Sequence, residues 1–260
     1  MLNEKGGTRM DIFNLPDLEF TQWILVIVVA FLVGISKTGL TGLLTMVIPV
    51  LAAIFGGKAS TGIILPMLIV GDILALVYYK RHAEKEDILK LLPWTGAGLI
   101  LGLTVGSYID DVQFKALIAI SVLLCLIILI YFEIKEDGVK VPKGIWFHAF
   151  TGILAGFTSM IGNAAGPIFS VYLLAKSVDK NNYLGITAWF FFIVNVTKLP
   201  LQIFIWKNID LQIMFLTVVL IPAIVIGGVI GAYIVKKLDD KVFRYLIIGM
   251  TAVVSVKLFF

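Results

Sequence analysis

Two polar interruptions stand at matched places in long apolar runs: Gly34-Ile35-Ser36-Lys37-Thr38-Gly39-Leu40-Thr41-Gly42 and Gly156-Phe157-Thr158-Ser159-Met160-Ile161-Gly162-Asn163-Ala164-Ala165-Gly166-Pro167. A helix that starts at such a break offers free backbone N–H groups and the positive end of its dipole, which together favour anions. The segments beginning at Gly42 and Ala164 would present those amides beside Ser36, Thr38, Thr41, Thr158, Ser159 and Asn163. Short polar side chains of these types can replace water around an oxyanion. Lys37 lies between the first two segments, where a cation could pair with such a solute; its plainer fate is to snorkel from a helix end. Lys198 lies deeper in an apolar run, three residues after Asn195 and so on the same helical face. A buried lysine needs a partner or a function. Asp72 sits within another apolar run, as a coupling group for a proton or cation or as the salt partner of a lysine such as Lys198. Gly-rich breaks also serve as extramembrane turns and close-packing surfaces. Recurrence of the break at two related positions is what favours a site.

The elements that hold these groups are apolar runs of bilayer-crossing length. The chain is 60% hydrophobic and 15% charged, with a mean hydropathy of +1.02, outside what a soluble domain needs to cover its surface. The runs fall at 20–35, 42–55, 59–80, 89–108, 112–133, 144–160, 164–177, 181–206, 210–236 and 241–260, and they leave no room for a separate soluble domain. The pairs 20–35 with 42–55 and 144–160 with 164–177 are short, and each is joined by one of the polar breaks, as half-helices meeting inside the bilayer would be. Residues 1–19 carry Asp11, Asp17 and Glu19 with no small-residue cleavage pattern, so the first run is expected to be retained.

Sliding the chain by 122 to 125 residues lays Gly34 on Gly156, Ala52 on Ala175, Gly62 on Gly185, Asp72 on Asn195, and Gly102-x3-Gly106-x-Tyr108 on Gly227-x3-Gly231-x-Tyr233. An offset this constant indicates duplication. The expected fold is therefore an all-α polytopic membrane protein of two repeats, 20–133 and 144–260, each of about five helical segments and each starting with a broken or re-entrant helix. Residues 1–19 form an extramembrane segment and 134–143 a cytoplasmic linker. An odd number of segments per repeat makes the repeats inverted. Fourteen of the 21 Lys and Arg residues then gather on one face and six on the other, with Lys198 inside a segment. By the positive-inside rule both termini face outward.

The net charge of +4 comes from residues at run ends and forms no basic stripe for nucleic acid. Cys125 is the single cysteine and His82 and His148 the only histidines, so neither a disulfide framework nor an HExxH zinc site can be built. There is no G-x-S-x-G and no Walker P-loop, so an enzyme is not expected and no cofactor is implied. The GxxxG spacings at Gly102/Gly106 and Gly227/Gly231 suggest close helix contact. Trp23, Trp94, Trp146 and Trp206, near run ends, suit an interfacial aromatic belt.

These residues resemble the TauE/SafE sulfite exporter family. The resemblance is carried by Val33-Gly34-Ile35-Ser36-Lys37-Thr38-Gly39 with Val47-Ile48-Pro49, by Gly156 through Pro167 with Tyr172-Leu173-Leu174-Ala175, and by Ala188-Trp189-Phe190-Phe191-Phe192 through Asn195 and Lys198. It spans essentially the whole chain. The family's first motif is more often a run of glycines, where this chain has Ser36-Lys37-Thr38-Gly39. The resemblance implies a multi-pass protein of the inner (cytoplasmic) membrane that exports sulfite or a small organosulfonate such as sulfoacetate, driven by an ion gradient. Expected substrate contacts are Ser36, Lys37, Thr38, Thr41, Thr158, Ser159, Asn163, Asn195 and Lys198, with Asp72 as the coupling acid for a proton or cation in an alternating-access cycle. A channel-like anion conduit and a non-transporting partner subunit stand as alternatives. The sequence leaves homo-oligomerisation open.

Overall fold

A computed structural model describes residues 18–40, 43–82, 85–114, 144–175 and 178–239, together with residues 15, 116, 117, 120, 242 and 245. Its main helices are α1 (Phe20–Thr38), α2 (Leu43–Phe55), α3 (Gly57–Tyr79), α4 (Lys85–Tyr108), α5 (Ile145–Gly162), α6 (Gly166–Ala175), α7 (Lys180–Leu201) and α8 (Leu211–Lys236). A π-helical segment, Gln202–Trp206, continues α7. Among the described residues six helices are long and apolar enough to cross a bilayer: α1, α3, α4, α5, α7 and α8. The segments expected at 112–133 and 241–260 lie almost wholly outside the described residues.

The first helix of each expected short pair is longer than the glycines suggested. α1 runs 19 residues and α5 runs 18, about 28 and 27 Å at 1.5 Å per residue, close to a hydrocarbon core of about 30 Å. Only the second members are short, with 13 residues in α2 and 10 in α6. Ser36, Lys37, Thr38, Thr158 and Ser159 therefore ride on the last turns of full-length helices rather than in loops. The breaks shrink to a few residues around Gly39 and around Asn163–Ala165. Gly34 and Gly156 lie inside helices because they are crossing points. A Cβ on Gly34 would overlap the Ile224 carbonyl, and one on Gly156 the Thr95 carbonyl. Gly227 meets Phe31 and Gly98 meets Ile153 in the same way.

These contacts make α1 with α8 and α4 with α5 the two most extensive helix pairs. With the first four helices set in order against the last four, the two pairs are each other's counterparts. α3 and α7, the third helix of each set, pack on one another at the centre. α3 is the most buried of the spans. Large apolar side chains cover the outside, among them Val77, Ile100, Phe150, Phe204, Val218 and Ile226, each more than half exposed. An apolar surface spread over so many helices is a lipid-facing one. Trp146 is exposed there, whereas Trp206 is buried: its indole N–H donates to the Leu103 carbonyl at 3.2 Å and to Ser107 Oγ at 3.1 Å. Trp206 thus pins the π segment to α4 and is not part of an interfacial belt.

Candidate functional site

Each break is closed by its own backbone. At the end of α5 Asn163 adopts the left-handed conformation (φ 54°, ψ 24°), one that asparagine tolerates better than most residues. Its N–H reaches the Ser159 carbonyl at 3.0 Å and the Ala164 N–H reaches Thr158 at 3.2 Å. At the end of α1 the Gly39 and Leu40 N–H groups both turn back to the Ile35 carbonyl. Tyr79 Oη donates to the Thr38 carbonyl at 2.7 Å and so ties this end to α3. Phe169 of α6 stacks on Phe190 of α7, with ring centroids 4.1 Å apart, and meets Phe191 edge-on. The short helices then start beside the centre, with Leu44 of α2 and Gly166 of α6 bordering one cavity.

That cavity has a volume of about 30 Å³, enough for roughly two waters by the space each requires. Its polar wall comes from both breaks and both central helices: Ser36 and Lys37, Ser159 and Asn163, Asp72, and Thr187 with Asn195. A connected chain of contacts runs through it. Lys37 Nζ pairs with Asp72 Oδ1 at 2.6 Å. Asn195 Nδ2 donates to Asp72 Oδ2 at 2.7 Å, and Lys198 Nζ reaches Asn195 Oδ1 at 3.5 Å. Lys198 also donates to Ser159 Oγ at 3.2 Å and to Asn163 Oδ1. Three side-chain oxygens thus surround Nζ. The α3–α7 link between Asp72 and Asn195 joins the two positions that the repeat offset superposes.

Among the described residues three wall atoms able to donate have no hydrogen-bond partner, Ser36 Oγ, Asn163 Nδ2 and Thr187 Oγ1, while Asp72 Oδ1 is held by the Lys37 ion pair. The Asn163 amide is oriented by Lys198, which occupies its oxygen and leaves its NH2 turned away. Buried polar groups are almost always satisfied, so three orphans around one space ask for a ligand or ordered water. With two lysines and one carboxylate nearby, the solute that fits them is an anion rich in acceptors. Ser36, Asp72, Ser159, Asn195 and Lys198 are each no more than 2% exposed, so the polar floor is buried beneath the partly exposed Lys37, Asn163, Gly166 and Phe191.

Lys37, Ser36, Ser159, Asn163, Asn195 and Asp72 line this cavity, and Lys198 stands directly behind its wall. Thr38 does not: its hydroxyl donates to the Gly228 carbonyl at 2.7 Å and holds α1 to α8. Thr158 is turned into its own helix, donating to the Leu154 carbonyl at 2.8 Å. Thr41 lies outside the described residues. The buried pairing of Lys37 also removes it from the loop charges counted for topology. Thr187 and Phe191 belong to the site and were not singled out in the sequence; the Lys37 ammonium lies 4.7 Å from the Phe191 ring centroid. A signal for them existed, since Thr187, Phe191, Asn195 and Lys198 follow at four-, four- and three-residue steps, one face of α7. Gly71 was equally silent. A Cβ there would lie 2.8 Å from Lys37 Cγ, so its absence lets the lysine stem cross α3 to Asp72.

No curated protein and no solved structure matches the chain. The family model for the sulfite exporter TauE/SafE matches residues 26–258, a span that contains both breaks, both central helices and every residue of the cavity wall. The chain therefore belongs to the TauE/SafE family of membrane sulfite exporters.

Proposed function

We propose that the cavity is the carrier site for a small sulfur oxyanion, with sulfite as the first substrate to test, and that the protein exports it by alternating access. The observation that carries this is the trio of orphaned donors, Ser36, Asn163 and Thr187, bordering one cavity lined by Lys37 and backed by Lys198. Sulfite offers three acceptor oxygens on a compact pyramid, and the family's activity is sulfite export. The duplicated sequence and the reciprocal pairing of α1 with α8 and of α4 with α5 suit two matched helix pairs rocking about α3 and α7.

Asp72 is the coupling group in this reading. It neutralises Lys37. An anion that engages Lys37 competes with it, and a doubly charged one brings in more negative charge than the two lysines leave uncompensated. A proton or cation taken up with the anion restores the balance. The test is sulfite flux into proteoliposomes, comparing wild type with Ser36→Ala, Thr187→Val and the double variant. A hydrogen bond to a charged group is worth about 1.5–3 kcal/mol, so each single change should weaken apparent affinity roughly 10- to 100-fold. Wild-type affinity in the folded double variant removes the site from this cavity.

A further inference from the structure

The polar face of α7 does not end at Lys198. Gln202 follows four residues later on the same face, roughly 6 Å farther along the axis and within the reach of a lysine side chain. It is fully buried, and among the described residues neither its Nε2 nor its Oε1 has a hydrogen-bond partner. An amide sealed in a bilayer-embedded core with both ends unsatisfied is costly. Leucine would fill the position without that cost, so packing gives no reason for a glutamine. The backbone changes character at the same residue. Gln202 opens the π-helical segment, and the Asn208 N–H closes on the Gln202 carbonyl at 3.2 Å. Such segments mark places where a helix is bent to a functional need.

We infer that Gln202 is a second station for the same oxyanion, beyond Lys198 from the cavity, and that the Lys198 ammonium passes the solute between the two. In the present state Lys198 is turned to Ser159, Asn163 and Asn195, and the Gln202 amide stands unused. As the solute leaves the cavity, Lys198 follows it by rotating its stem. The Gln202 NH2 then replaces the donors left behind at Ser36, Asn163 and Thr187. No covalent step is involved. The inference rests on the carrier reading of the cavity and adds to it the direction along α7 in which the pathway continues.

The test is Gln202→Leu in the full-length protein, reading thermal unfolding in detergent and sulfite flux in proteoliposomes together. The station predicts a raised Tm, because an orphaned amide is gone, with a KM for sulfite within about twofold of wild type and a kcat lowered about tenfold or more. Gln202→Asn, which keeps the amide one carbon shorter, should restore most of the lost kcat. A lowered Tm or failure to fold shows that Gln202 is a structural partner and overturns the inference, as does unchanged kcat in a folded Gln202→Leu protein. Wild-type protein that moves no sulfite instead defeats the reading of the cavity, and the station falls with it.

Discussion

Lys37 and Asp72 meet at 2.6 Å, with the carboxylate 1% and the lysine 9% exposed. Desolvating both charges is expensive, and their attraction offsets the cost only while both are present. Asp72→Asn should therefore destabilise the protein by about 3–5 kcal/mol by leaving a buried ammonium unpaired, and Lys37→Met should do the same from the other side. The double variant Lys37→Met/Asp72→Asn should recover more than half of that loss, because the 72 side chain would then match the asparagine at the related position 195. Denaturant unfolding of the four proteins in detergent checks this; additive losses in the double variant would show that the pair is not coupled. Sequence spacing exposed Asp72 and Lys198 as buried charges in apolar runs, but it offered Lys198 as the acid's partner. Contact with Asp72 comes from Lys37, since only the fold shows that Gly71 clears its way.

The helices are held at close range by bare backbone at their crossings. Alanine at Gly34 or Gly156 would drive a methyl into a carbonyl of the facing helix, an overpacking that should cost about 1–3 kcal/mol. Gly96, on the same α4 that receives Gly156, has nothing within 4 Å of its would-be Cβ. Alanine there should be neutral or stabilising by up to about 1 kcal/mol, since glycine is a poor helix former. Thermal unfolding of the three single variants ranks them, and equal losses at all three would contradict the crossing geometry. Helix spans were legible because run length and hydropathy fix what can cross a bilayer; the expected 210–236 is α8 to within a residue. The breaks were read too wide because glycine in a membrane helix signals close approach as readily as interruption. From the sequence alone Gly34 and Gly39 look alike, and both press on α8, at the Ile224 and Gly231 carbonyls, yet only Gly39 ends the helix.

At the scale of the molecule the site exists only when both halves are folded together. Ser36, Lys37 and Asp72 come from the first half, and Ser159, Asn163, Thr187, Asn195 and Lys198 from the second. The matched breaks in the sequence pointed to this meeting place, and Asp72 and Asn195, paired by the repeat offset, touch across it. Thr187 and Phe191 stayed hidden because each is an ordinary residue of a long helix until the face it shares with Lys198 is known to be the inner one. The reciprocal contacts, α1 on α8 and α5 on α4, each join helices from opposite halves, so neither half packs as a separate body. An oxyanion is expected in the cavity that the three orphaned donors border. Anomalous diffraction from crystals soaked in selenite, a heavier pyramidal analogue of sulfite, would locate it. One strong peak is expected with its oxygens at hydrogen-bonding distance, about 2.7–3.2 Å, from Ser36 Oγ, Asn163 Nδ2 and Thr187 Oγ1. A crystal of transport-competent protein whose selenite lies elsewhere, with this cavity empty, would contradict it.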